Sequence, residues 1–523
     1  MVPADARRFT ADVALLTHLE GTVGNANERV IVLANRAPVR HERCGGRVVS
    51  TRSASGLVTA LEPLLEKYSG TWVAHAAGSA DTDVVDTLGG IDVPPANPRY
   101  RVRYVPLRTG EFQGYYYGFA NEGLWPLCHT AGVAPTFRRG DFEKYREVNA
   151  KFASVVADEA GDDPSIVLVQ DYHFALAPRI IRQRLPHSKV LAFWHIPWPR
   201  PRVFRSCPWA AELIDGLLGS DIVGLQTGDD CRNFLACAES LPGVSVDLLQ
   251  GIIEHSNGTT VVRAYPVGVD CDNEALQSAP DAADCREWVN RTLNLPPNIR
   301  LGVGIDRMDY TKGIAEKFLA IERLLEMHPG LAGQFAFVQI AEPSRDCLSA
   351  YRAARAQALA TCERINARFA NAACPPIIFL EHHHGPADVY RYYKAADFCY
   401  VSSLHDGMNL VAKEFVAARD DERGVLVLSQ FTGAARELAE AIIVNPYDTD
   451  ECAAALRAAL EMPEREQRAR MRLMRGHVAE FNVFRWAGRM LIDAAGMRKR
   501  RRLLDRLVTQ DAGPDPVAVN QGA

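Results

Sequence analysis

The 523-residue sequence has no apolar run long enough to cross a bilayer, no Cys-x-x-Cys pair among its 12 cysteines and no excess of positive charge. Each absence removes a class of protein. Without about 20 consecutive apolar residues, no helix of the chain anchors it in a membrane. Cysteines scattered without metal-ligand or disulfide spacing point to reduced thiols. The first residues also lack the charged-then-apolar pattern of a leader, so the expected compartment is the cytoplasm. A net charge of −5 argues against nucleic acid or an anionic membrane as partner of the whole molecule. The local basic run Arg498-Lys499-Arg500-Arg501-Arg502 reads as a solvated tail after the last helix.

What is present is ordinary globular material, 47% hydrophobic and 24% charged, in a chain longer than one core usually serves. Apolar, β-branched runs at residues 30–33, 165–169, 190–194, 222–226, 261–265, 301–305, 335–340, 377–380, 398–401 and 425–429 alternate with helical stretches. That alternation predicts an α/β protein with two doubly wound parallel sheets, each covered on both faces. The expected organisation is a poorly ordered extension at 1–28, a Rossmann-like domain at 29–265, a second at 266–478, a helical segment at 479–505 and a disordered tail at 506–523. The hinge is set at Tyr265-Pro266-Val267-Gly268-Val269, where an apolar strand meets a proline and a glycine. Ligands of such sheets bind beyond the carboxyl ends of the strands, so two facing sheets make a cleft that takes two substrates.

Strand ends carry the chemistry. Asp406-Gly407-Met408-Asn409 lies between the strand at 398–401 and a helix at 410–418, which places a carboxylate, a loop glycine and unpaired amides at a helix N-terminus. Such amides, here those of Asn409, Leu410 and Val411, attract a diphosphate. Asp406 is then assigned to sugar hydroxyls and Glu414, two turns in, to ribose hydroxyls. Alone, Asp406 would more simply be a helix cap and Glu414 a surface residue. Arg307 and Lys312 flank a second strand-to-helix turn and suit a leaving nucleotide diphosphate, one as a planar fork and one as a point charge. In the first half, Asn35-Arg36, Gln170-Asp171-Tyr172-His173 and His195-Ile196-Pro197 end three further strands. A histidine such as His195 is more often structural, but strand-end sites in both halves argue for a shared cleft.

These residues, with Ser55-Gly56-Leu57, Tyr116, Leu124-Trp125-Pro126, Asp309-Tyr310, Pro343-Ser344-Arg345 and the run from Asp406 to Glu414, resemble the retaining glycosyltransferases of the trehalose-6-phosphate synthase type. The resemblance runs from about residue 30 to about 491 and implies the two-domain GT-B fold. It implies that Arg307 and Lys312 bind the diphosphate of a nucleotide sugar, that Glu414 binds its ribose, and that Asp406 with His195 binds the transferred glucose. Gly56 would belong to a loop closing over the donor. Arg36, Tyr116 and Arg345 would hold the phosphate of a sugar-phosphate acceptor, with Trp125 and Asp171 beside its ring. The implied reaction moves glucose from UDP-glucose to glucose 6-phosphate, with retention and without a covalent intermediate, cofactor or metal. Asp448-Thr449-Asp450 is expected to cap a helix, and His382-His383-His384 to form a surface loop.

The sequence departs from the family at Ser55 in a glycine pair, Gln170 for a histidine, His405 for an arginine, Arg202 for a glutamate and His75 for a tryptophan. Other phosphorylated acceptors, glycerol 3-phosphate or a cyclitol phosphate, therefore stay open, as does a non-catalytic sugar-phosphate-binding regulator. The donor base and the oligomeric state are not legible, and a homo-oligomer is compatible with the sequence.

Overall fold

The computed structural model describes residues 29–52, 56–370 and 374–511. The expected extension at 1–28, Ser55 and the last twelve residues lie outside them.

Two sheets organise the chain. The first has ten strands in the order Ser245–Asp247, Ile252–His255, Gly258–Ala264, Ile222–Leu225, Lys189–Phe193, Ser165–Gln170, Arg29–Leu33, Thr71–His75, Tyr100–Val105 and Gly90–Val93. From Gly258–Ala264 to Tyr100–Val105 every neighbouring pair is parallel, and antiparallel strands close both edges. The second sheet is parallel throughout, in the order Ile377–Leu380, Phe335–Glu342, Arg300–Arg307, Phe398–Val401, Val425–Ser429 and Ile442–Val444. Numbered by sequence, this is 3-2-1-4-5-6, the order of dinucleotide-binding sheets. The order reverses between Arg300–Arg307 and Phe398–Val401, and in the first sheet between Arg29–Leu33 and Ser165–Gln170. Helices on both faces explain the continuous apolar runs: Ser165–Gln170 and Val425–Ser429 are buried at every position. Alternate residues of Arg29–Leu33 enter different cores, Val30 and Val32 one cluster, Ile31 and Leu33 another.

The strands that sequence reading passed over have a different pattern. Tyr100–Val105 alternates buried and partly exposed positions, with Arg101 and Arg103 on the wetter face, so it reads as half-polar. The hairpin Val39–Cys44 with Arg47–Arg52 is exposed along most of its length and forms a separate two-stranded sheet.

The chain leaves the first domain after Ala264 and returns through the last helix, Val483–Asp511, which runs past residue 505 where the sequence expectation ended it. The outgoing and returning segments touch. A Cβ on Gly268 would lie 2.3 Å from the Phe481 carbonyl oxygen, so only glycine permits that approach. Tyr265 donates to Asp493 at 2.7 Å, and Trp486 meets Phe193 edge-on at 5.0 Å. One apolar cluster thus contains Val30, Trp72, Leu301, Val401 and Trp486 together. Among the described residues no helix is long and apolar enough to cross a membrane.

Candidate active site

At the switch point of the second sheet, Arg307 ends one strand and Asp406 follows its neighbour. Asp309 accepts from the Thr311 amide at 3.0 Å, and the 3-10 turn Tyr310–Lys312 that it caps turns Lys312 toward Asp406. Lys312 and Asp406 form an ion pair with side chains only 12% and 15% exposed. Burial alone would raise the Asp406 carboxyl, but Lys312 and Asn409 outweigh it and hold the carboxyl down at about 2. Asn409, at φ 82, accepts from the Ala412 amide at 3.0 Å and donates to Asp406 at 3.1 Å, so its side chain is occupied as a cap. What it leaves for a ligand is the first-turn backbone: the N–H groups of Leu410 and Val411 have no acceptor inside their helix. Glu414 is the fifth residue of that helix, one turn in where the sequence reading put it two turns in. It accepts from the Tyr393 hydroxyl at 3.2 Å, and burial raises its carboxyl.

Gly407 carries the turn to the first domain. A Cβ there would come 2.2 Å from the carbonyl oxygen of His195, so glycine is the one residue that fits. Burial pushes the His195 imidazole down to about 3, which keeps it neutral at working pH. Its Nε2 lies 3.0 Å from Gln170 Oε1, a pairing that makes Nε2 the donor and leaves Nδ1 as an acceptor. The substituted Gln170 thus sets the tautomer of His195. Across the cleft, His405 donates to the His129 carbonyl at 2.6 Å.

The residues expected at an acceptor phosphate also come together. Arg345, at φ 51, donates to Tyr172 at 3.1 Å, lies 3.9 Å from Asp309 and bonds Tyr351; its guanidinium carbon is 4.3 Å from the Trp125 ring centroid. Glu342, three residues before Arg345, pairs with His383 at 2.9 Å. Arg307 lies 5.6 Å from the same indole and has no ion pair among the described residues. Burial would raise the Tyr116 phenol, but Arg345, Arg36 and Arg307 together lower it. Arg36 itself is exposed. Tyr116 stacks between Phe112 at 4.9 Å and His173 at 5.6 Å, and His75 extends the column at 4.8 Å from Phe112. A π-helix, Gln113–Leu124, contains Tyr116 and runs directly into the helix that Trp125 begins. With i→i+5 bonding a turn takes about 4.4 residues, so positions nine apart face the same way; an α-helix would point them oppositely.

Asp171 is held in a backbone conformation, φ 74 and ψ 170, that is nearly reserved for glycine. Its carboxylate accepts from the Tyr172 amide at 2.9 Å and the His195 amide at 3.1 Å. Burial still raises it to about 6, against those bonds and the charges of Arg345 and Arg307. Asp171, Arg345 and Asn409 are three of seven non-glycine residues with positive φ among the described residues, so backbone strain concentrates here. Because the raised value disfavours the ionised form in the fold, Asp171 costs stability as pH rises from about 4 to 6 and above. Asp171→Asn keeps the acceptor oxygen and loses the charge. It is expected to gain roughly 2–3 kcal/mol at pH 7.5 and about 1 kcal/mol at pH 4.5, while losing sugar-phosphate binding. Thermal denaturation at the two pH values measures it; equal shifts at both would refute the assignment.

The sequence matches glycosyltransferase family 20 over residues 28–495. The chain belongs to that family. A trehalose-6-phosphate synthase of Mycobacterium sp. (strain KMS) is 37% identical over 506 residues, covering 95% of this chain and 98% of the relative; that of Mycobacterium marinum is 38% identical over 475, covering 89% and 93%. Among solved structures, a Burkholderia xenovorans α,α-trehalose-phosphate synthase (UDP-forming) in complex with glucose-6-phosphate is 33% identical, with TM-score 0.78, over 89% of this chain and 99% of its own. An E. coli structure bound with UDP-2-fluoro glucose has TM-score 0.80 at 30% identity, over 90% and 99%. The protein is thus a glycosyltransferase of GT-B fold.

Of the residues expected in the site, Lys312, Asp406 and Asn409 are bonded together, Arg307 and Arg345 lie over the same Trp125 ring, and Asp171 joins the His195 backbone. Gly56 begins the helix Gly56–Tyr68, directly after residues that are not described. Sequence reasoning did not give roles to Tyr172, Tyr351 or Asp309, which hold Arg345. Tyr172 was within reach as part of the Asp-Tyr-His motif; Tyr351 has no local signal. Asp448 caps its helix through the Glu451 amide at 2.9 Å, and Asp450 pairs with Arg323.

Proposed function

We propose that the protein transfers glucose from UDP-glucose to glucose 6-phosphate with retention, giving α,α-trehalose 6-phosphate. The observation that carries this reading is the placement of Arg345 6.0 Å from the Tyr116 ring and 4.3 Å from the Trp125 ring, with Arg307 over the same indole and the charge of Arg36 also felt at the Tyr116 phenol. A phosphate dianion satisfies such a cluster better than any neutral sugar. The names of the relatives support the same donor and acceptor. In the proposed step the bond from glucose C1 to the phosphate oxygen breaks and its electron pair stays on that oxygen. The acceptor hydroxyl oxygen bonds to C1 from the same face and gives its proton to the leaving phosphate oxygen. Arg307, Lys312 and the amides of Leu410 and Val411 stabilise the charge that grows there. Neutral His195 and ionised Asp406 hold glucose hydroxyls, while Glu414 meets the ribose.

The direct test is a product screen of purified protein with UDP-, GDP- and ADP-glucose against glucose 6-phosphate, glycerol 3-phosphate and a cyclitol phosphate, read by nucleotide diphosphate release and product mass. Trehalose 6-phosphate as the main product is expected; turnover only with another acceptor would replace the reading. Because side chains and amides neutralise the leaving group, activity is also expected to survive EDTA within about twofold. Loss restored by manganese would require a metal in the step.

A further inference from the structure

Gly407 packs against the His195 carbonyl where the two halves of the chain meet. Beside that contact lies a space of about 720 Å³, lined by residues among 197–200 and 227–233 of the first domain and 405–407 and 430–436 of the second, but not by Arg307, Lys312 or Arg345. None of the arginines assigned to substrates reaches it. Three others do: Arg200, Arg232 and Arg436.

The charges in this chamber do not balance. Asp230 is used locally, accepting from the Trp198 amide at 2.8 Å and from the Thr227 amide at 3.1 Å and its hydroxyl. Asp406 belongs to Lys312. Asp229 is the lining carboxylate that pairs with lining arginines, one oxygen bonded to Arg232 and the other 3.0 Å from Arg436. The Arg200 guanidinium has no hydrogen bond or ion pair with any described residue. Apart from Asp406, two carboxylates, Asp229 and Asp230, thus meet three guanidiniums from two domains, in a space of the size that takes a small metabolite.

We propose that this chamber is a second binding site, for a small phosphate monoester of a polyol. Its dianion joins Asp229 as counter-charge to Arg232 and Arg436 and engages the unpaired Arg200, while Thr130, Asn233 and Gln430 supply polar wall for hydroxyls. The chamber shares the Asp406-Gly407 turn with the catalytic side, so occupancy here and donor binding act on one element.

Equilibrium dialysis with radiolabelled glucose 6-phosphate, without nucleotide sugar, tests the site by stoichiometry. The intact protein is expected to bind two equivalents. Arg36→Ala with Arg345→Ala should abolish one, and Arg200→Ala with Arg436→Ala should weaken the other at least tenfold. The two losses are separable, so failure of the acceptor assignment and failure of this one are told apart. Arg200→Ala breaks no bond of the fold, so it serves alone if the double variant is unstable. Asp229→Asn should act oppositely, tightening the second site several-fold by removing the competing carboxylate. A single equivalent in the intact protein, a second equivalent indifferent to Arg200 and Arg436, or weaker binding in Asp229→Asn would each overturn the proposal.

Discussion

Arg307→Ala is expected to lower kcat by about 10²-fold or more with little change in Tm, because a preorganised donor in a dry cleft is worth that much to a developing oxyanion. The clean separation of activity from stability follows from its surroundings: Arg307 lies over the Trp125 ring and has no ion-pair partner among the described residues. Lys312→Ala should lose comparable activity and stability together. It strands the Asp406 carboxylate in a mostly buried site, and breaking such a pair from one side costs about 3–5 kcal/mol. Steady-state kinetics beside thermal denaturation of both variants checks the contrast. Near-normal turnover by Arg307→Ala would remove the diphosphate from this strand end.

Removing Arg345 is expected to raise the KM for the sugar phosphate by about 10- to 100-fold, equivalent to roughly 1.5–3 kcal/mol of charge-assisted hydrogen bonding, with far less effect on the donor. Arg36→Ala should do the same from the first domain, since the Arg36 side chain is exposed and has no hydrogen bond or ion pair among the described residues. Arg345→Lys should rescue little, since a point charge cannot replace a fork that spans Tyr172, Tyr351 and the ligand. The comparison is made with phosphorylated and plain glucose as acceptors. If both alanine variants keep the full preference for the phosphorylated sugar, the two arginines do not hold its phosphate.

The legible part of the site was what sits immediately after an apolar strand. Arg307, Asp406, Asp171 and His195 each follow a run buried on both faces, and burial on both faces is what makes such runs plain in a sequence. Leu410–Ala418 and Phe398–Val401 have the bounds expected of them for the same reason. The second layer was not legible because it is made by distance: Tyr351 serves Arg345 from a helix, and His405 reaches His129 across 276 positions. Tyr100–Val105 was missed because the partly exposed Arg101 and Arg103 interrupt its apolar pattern, and Thr71–His75 because its apolar run, Trp72 to Ala74, is only three residues long between polar ends. The resemblance supplied Tyr116 and Trp125 as a pair, but no propensity scale would have placed them on one face.

That shared face makes Gln113–Leu124 a segment in which length matters as much as composition. Most substitutions along it exchange one contact for another, whereas deleting a single residue shifts every downstream side chain by about a quarter turn or more. Trp125 would then swing from beneath Arg345 while Tyr116 stayed in its ring column. Among related chains, insertions and deletions should therefore collect in the exposed hairpin Val39–Arg52 and stop short of this helix.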